Sequence, residues 1–275
     1  MFSKLLKYDN RAILKYWWIG AFVSLGVSLL GGFCIQIINV DYTSHTLITV
    51  LAGIGMFFSI LGISLLPLFT EILIIVRYFK NFFTDEGYLT FTLPVKKTQL
   101  LDSKLLSALV FNIAVFFVVA LDAFVMLAIG IPEEFFSPVT WRGIFEIINA
   151  AVEFWGGYTI PYIFLAVLIL VALTVGQLLF LFACITFASS VVKKHKILMS
   201  IGVYYGVNLA LSFVYQILAY GGVSSVFFLV TGLTQENYLG AVLFILLCAL
   251  GICIAVAGAL YLLVLWLLDR RLNLE

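Results

Sequence analysis

The chain has 275 residues, 64% of them hydrophobic and only 11% charged, with a formal net charge of +1. A soluble domain clothes its surface with about 25% charged residues, so this composition excludes a water-soluble globular protein. A mean hydropathy of +1.19 and repeated apolar runs of about 20 residues, enough to cross a hydrocarbon core of roughly 30 Å, predict an all-α integral membrane protein.

In chain order, residues 1–15 come first. Lys4, Lys7, Arg11 and Lys15 are spaced three, four and four apart and form one helical stripe, with Phe2, Leu6, Ile13 and Trp17 offering an apolar face beside it. This pattern predicts an amphipathic helix lying in the inner membrane interface, over anionic lipid. A plain topology anchor fits the same pattern. Residues 16–275 then form the membrane domain, with six predicted spans: Tyr16–Ile38, Leu47–Val76, Leu105–Ile131, Ile160–Val191, Ile197–Tyr220 and Leu239–Leu268. The first apolar run is too long for the core of a signal peptide and is expected to remain as the first span.

Basic residues set the orientation. The N-terminal segment, the 77–104 loop (Arg77, Lys80, Lys96, Lys97, Lys104), the 192–196 loop (Lys193, Lys194, Lys196) and the tail (Arg270, Arg271) share one side of the six-span layout. Arg142 stands alone on the other side, so both termini are expected in the cytoplasm, with the chain threaded repeatedly through the membrane. Segment 132–159 then faces outward. There Thr140 can cap a helix with Ile144, Phe145, Ile148 and Val152 on one face and Glu146, Asn149 and Glu153 on the other. Trp141 and Trp155 suit interfacial anchors.

Ionisable residues within spans are costly, which makes each a functional candidate. Asp122 lies well inside the third span, and its short side chain cannot snorkel to water. It is expected to face a protein interior or a watery path, either as an interhelix hydrogen-bonding group or as part of a transport route. Glu71 lies near the cytoplasmic end of the second span, where Arg77 can attract it.

Chemistry-bearing motifs are missing. No glycine is followed by lysine, so the phosphate-cradling P-loop is absent and the chain cannot drive ATP-dependent work by that route itself. The two histidines, His45 and His195, fall in loops, and no metal-ligand cluster or intramembrane serine protease constellation is present. Cys34, Cys184, Cys248 and Cys253 lie in apolar runs without a C-x-x-C pair, as small apolar fillers do. No catalytic residue, bound metal or bound cofactor is expected, and no nucleic-acid partner.

The segment "DEGYLTFTLPVKKTQLLDSK", Asp85–Lys104, is a polar island between two apolar runs. Thr84, Asp85, Glu86 and Gly87 read as a cap or turn, and Pro94 ends the segment before Thr98 can cap the helix into span three. Tyr88, Leu89 and Phe91 beside Asp85 and Glu86 form an apolar anchor with a charged rim, the layout of a protein docking site; aromatics resting in the lipid interface are the alternative. The phrase resembles the cytoplasmic loop and following span of bacterial ABC exporter permeases of type 2, particularly those of Gram-positive bacteria. There E-G-Y-L-x-x-T-L-P and S-K-L match Glu86, Gly87, Tyr88, Leu89, Thr92, Leu93, Pro94, Ser103, Lys104 and Leu105.

The resemblance covers about 30 residues by motif and the rest by layout. It implies that two permease subunits, identical or related, pair in the membrane, and that each docks an ABC ATPase subunit through residues 84–104 as a coupling helix. ATP and Mg would be bound by that ATPase. The cargo would be an amphiphile such as a hydrophobic peptide, an antibiotic or a lipid. Two other readings fit the residues: an ion- or proton-coupled carrier using Asp122, and a non-transporting membrane scaffold or sensor.

Overall fold

Nearly everything described is helix, and among the described residues there is no strand. The computed structural model describes residues 2–40, 46–84, 86–87, 92, 95–192, 196–218 and 235–270. The helices are α1 (Phe2–Val40), α2 (Thr46–Phe83), α3 (Lys97–Gly130), the short α4 (Pro132–Phe135), α5 (Pro138–Trp155), α6 (Thr159–Val191), α7 (Lys196–Leu218) and α8 (Gln235–Arg270). A single 3-10 turn, Gly156–Tyr158, joins α5 to α6. It opens on Gly156 at φ +51°, a left-handed conformation that a side chain would disfavour.

Five stretches are long and apolar enough to cross a membrane, which makes this a multi-pass membrane protein by length and composition. The expected span Ile197–Tyr220 falls on α7, whose contribution is the shorter apolar stretch Leu198–Phe213. Exposed Leu, Ile, Val and Phe side chains cover these helices, as a lipid solvent requires.

Residues 2–15 run without a break into the first span. They are the first turns of α1, which runs for 39 residues, about 58 Å at 1.5 Å per residue. The reason is a single continuous inward stripe. Asp9, Ile13, Trp17, Ala21, Ser24 and Ser28 are all buried and follow one another at steps of three or four, so the face that packs in the span already packs in the first turns. Lys4, Lys7, Arg11 and Lys15 lie exposed on the other side.

The chain forms two compact units. The first comprises residues 1–77 and 106–151. Within it α1 runs antiparallel to α2, because partner numbers fall as α1 numbers rise: Asp9 meets Arg77, Trp17 Nε1 donates to Thr70 Oγ1 at 3.1 Å, and a side chain at Gly31 would meet Ser59. Against α3 the numbers rise together, from Ser107 Oγ donating to Asn10 Oδ1 at 2.6 Å, through Trp17 edge-on to Phe111, to Asn39 Nδ2 donating to the Gly130 carbonyl at 3.4 Å. The two helices are therefore parallel. Small residues on α1 let the backbones approach, as in membrane bundles generally.

The second unit comprises residues 78–105 and 152–275. Helix α6 is its axis and packs against both α7 and α8. Its buried residues concentrate in the stretch from Leu178 to Ser189. At its other end, Tyr162 donates to the Leu239 carbonyl of α8 at 2.6 Å.

Helix α5 begins at Pro138, before the expected cap at Thr140. The Ser137 hydroxyl accepts the Val139 N–H at 3.2 Å, while Thr140 Oγ1 donates to the Glu134 carbonyl. None of its residues is buried, and its amphipathic sequence carries exposed Trp141, Phe145, Ile148 and Trp155.

Candidate functional site

The island between α2 and α3 belongs to the second unit, and its flanks are built into that unit's core. Tyr78, at the end of α2, is 1% exposed. Its ring stacks on Phe182 of α6 with centroids 4.1 Å apart and planes 5° from parallel. Its hydroxyl lies 2.8 Å from Thr186 Oγ1. Thr186 already donates its one hydroxyl hydrogen to the Phe182 carbonyl, so Tyr78 is the donor in this pair. Phe82, one turn on, is fully buried beside Tyr78.

The start of α3 is tied to α8. Lys97 Nζ donates to Asp269 Oδ1 at 2.7 Å and to the Leu268 carbonyl at 3.2 Å, and the Tyr261 hydroxyl donates to Asp102 Oδ1 at 2.8 Å. Leu100, Leu101, Ser103 and Lys104 are buried here. One flank of the island is thus clamped to α6 and the other to α8. A load on the island therefore reaches two membrane helices through side chains already in contact.

Between these flanks, Gly87 donates its N–H to the Thr84 carbonyl at 2.7 Å. A Cβ at Gly87 would lie 2.8 Å from the Phe82 carbonyl oxygen and 2.9 Å from its carbon. The turn folds back onto the end of α2 so tightly that only glycine fits. Gly87→Ala is expected to displace the turn at a cost of about 1–3 kcal/mol, read as faster limited proteolysis within residues 84–104; cleavage at the natural rate would show that the turn can relax freely.

Of the residues expected to dock a partner, Glu86 is exposed and Gly87 buried. Asp85, Tyr88, Leu89, Phe91 and Pro94 lie outside the described residues. Glu71 does not pair with Arg77. Its carboxyl lies against the Asn112 side chain, while Arg77 Nε meets Asp9 Oδ1 at 3.4 Å. Asp9 sits two residues from the basic residues of its own helix, so charge counting along the sequence did not single it out. Only the buried face it shares with Ile13 and Trp17 could have.

Asp122 is fully buried in the first unit. The hydroxyls of Ser24 and Ser28, one turn apart on α1, lie against its carboxyl. Each of those hydroxyls donates backward along its own helix, to the Ala21 carbonyl at 2.9 Å and the Leu25 carbonyl at 2.8 Å. Neither Asp122 oxygen receives a hydrogen bond.

A cavity of about 330 Å³ opens in the second unit, lined by Trp155, Tyr162, Tyr238, Leu239, Val242 and Leu246 among others. Its walls are apolar and rich in aromatic rings.

No family model, curated protein or solved structure matches this chain.

Proposed function

We propose that this protein is the membrane permease subunit of an ATP-driven ABC exporter, working in a bacterial cytoplasmic membrane. The observation that carries the reading is the island of residues 84–104, which combines the E-G-Y-L-x-x-T-L-P phrase with flanks clamped onto α6 and α8 by Tyr78, Lys97 and Asp102. A docking element must be anchored in this way if a partner's movement is to turn membrane helices rather than bend a loop.

In this reading the chain crosses the membrane six times, α7 supplying the fifth crossing, with both termini in the cytoplasm. Two copies, or this chain and a related permease, pair among membrane lipid. Each docks an ATPase subunit that binds ATP and Mg. Closure of the ATPases pushes on the island, and the clamps pass the motion to α6 and α8. The apolar, aromatic-rimmed cavity between these helices suits the tail of an amphiphile, whether hydrophobic peptide, antibiotic or lipid.

The test is recovery of the complex from its native membrane by a C-terminal tag, followed by mass spectrometry. The natural chain is expected to bring down an ATPase subunit, and the Glu86→Arg, Tyr88→Ala variant at least tenfold less of it. Recovery of no nucleotide-binding protein with the natural chain, under conditions that keep such complexes intact, overturns the exporter reading.

A further inference from the structure

We propose that Asp122 is a proton-binding site inside the first unit, its carboxyl held as the uncharged acid beside the Ser24 and Ser28 hydroxyls. The proposal does not depend on the exporter reading.

Three observations carry it. Asp122 is 0% exposed, and Ser24 and Ser28 are 2% and 0% exposed, so water does not reach the cluster. No basic side chain compensates the carboxyl among the described residues: on α1 it meets the two serines, and the charged or titratable residues of α1 and α2 lie at other levels. Asp9 is with Arg77, Glu71 with Asn112, and Cys34 with Gly55. Asn112 precedes Asp122 by ten residues on α3, which puts Glu71 about 15 Å away along the helix. Finally, both serine hydrogens are committed to backbone carbonyls. An ionised carboxylate, which only accepts, would be buried here with no donor to either oxygen.

A carboxylic acid resolves each point at once. It brings no net charge into an apolar interior, where an unpaired ion is strongly disfavoured. A bound hard cation is the less suitable counter-charge. Two carboxyl and two hydroxyl oxygens fall short of the six to eight oxygen ligands that an ion such as Ca²⁺ takes.

Release of the proton leaves a carboxylate that needs water as the proton's acceptor and as its own solvent. Release is therefore linked to parting of α1 from α3 at Ser24 and Ser28. This parting would be the opening step if the site takes part in transport.

The test is infrared spectroscopy of the full chain in lipid nanodiscs near neutral pH. The protonated-carboxyl carbonyl band is expected in the natural protein, to be lost in Asp122→Asn, and to shift in the Ser24→Ala, Ser28→Ala double variant, which removes the hydroxyls beside the carboxyl. If Asp122→Asn does not fold, carbon-13 labelling of aspartate carboxyls in the natural protein, compared with Asp9→Asn, assigns the band. Loss of carboxylate bands instead of the protonated band, or no aspartate contribution to the protonated band, overturns the proposal.

Discussion

Tyr78→Ala is expected to destabilise the protein by about 3–5 kcal/mol, the range for emptying a buried aromatic site, whereas Tyr78→Phe is expected to cost about 1 kcal/mol for one hydrogen bond. The gap follows from geometry. The ring lies flat on Phe182 and is enclosed, so alanine leaves a void that α6 cannot close without moving. Phenylalanine keeps the stack and loses only the bond to Thr186, whose own hydrogen stays on the Phe182 carbonyl. Thermal melting of the two variants in matched detergent checks the difference. A Phe182→Ala companion completes a cycle in which the two alanine variants together cost less than their sum, since both empty the same site. In the exporter reading Tyr78→Ala also separates docking from transport: the ATPase is still recovered with the chain, but its hydrolysis no longer moves cargo. If Tyr78→Ala melts with the natural protein, the clamp on α6 carries little load.

Much of this architecture is legible in the sequence because a lipid solvent writes in coarse strokes. Long apolar runs must be helices, since no other single segment satisfies its backbone there, and α2, α3, α6 and α8 fall where those runs lie. The start of α1 was harder to read. Its basic stripe suggests a helix flat on a membrane, but the decisive feature is the opposite face, where Asp9, Ile13 and Trp17 continue the spacing of Ala21, Ser24 and Ser28. A polar aspartate in that row looks like surface until its partner Arg77, far along the chain, is in view. The same holds at the island. Its exposed residues could be picked out by composition, but the clamps rest on Tyr78, Lys97, Asp102, Phe182, Thr186, Tyr261 and Asp269, scattered over four helices. A tyrosine or threonine in an apolar run has no local signal for a partner elsewhere. Asp122 was visible as an anomaly; that its neighbours are two serines with committed hydrogens required the packing of α1 on α3.

That packing makes the second large prediction. A Cβ at Gly32 would lie 2.8 Å from the Ile129 Cβ and 3.0 Å from the Met126 carbonyl oxygen. The first is a branch point and the second is backbone, so neither can swing aside, and α1 must lift from α3. Gly32→Val is expected to cost about 1–3 kcal/mol as an overpacking change. Gly26, two turns earlier on the same helix, has nothing within 4 Å of a built Cβ, and Gly26→Val is expected to stay within about 0.5 kcal/mol. The pair controls for the β-branched residue itself, leaving contact with α3 as the difference. Gly32 also lies one turn beyond Ser28, so lifting α1 there loosens the cover over Asp122. Gly32→Val therefore costs less in an Asp122→Asn background, where parting the helices no longer strands an acid, than in the natural chain. Melting curves of the natural chain and these four variants decide it: equal costs in both backgrounds would mean that the glycine contact and the Asp122 cluster are independent features of one seam, and an equal effect of Gly26→Val and Gly32→Val would mean that the close approach of α1 to α3 does not stabilise the bundle.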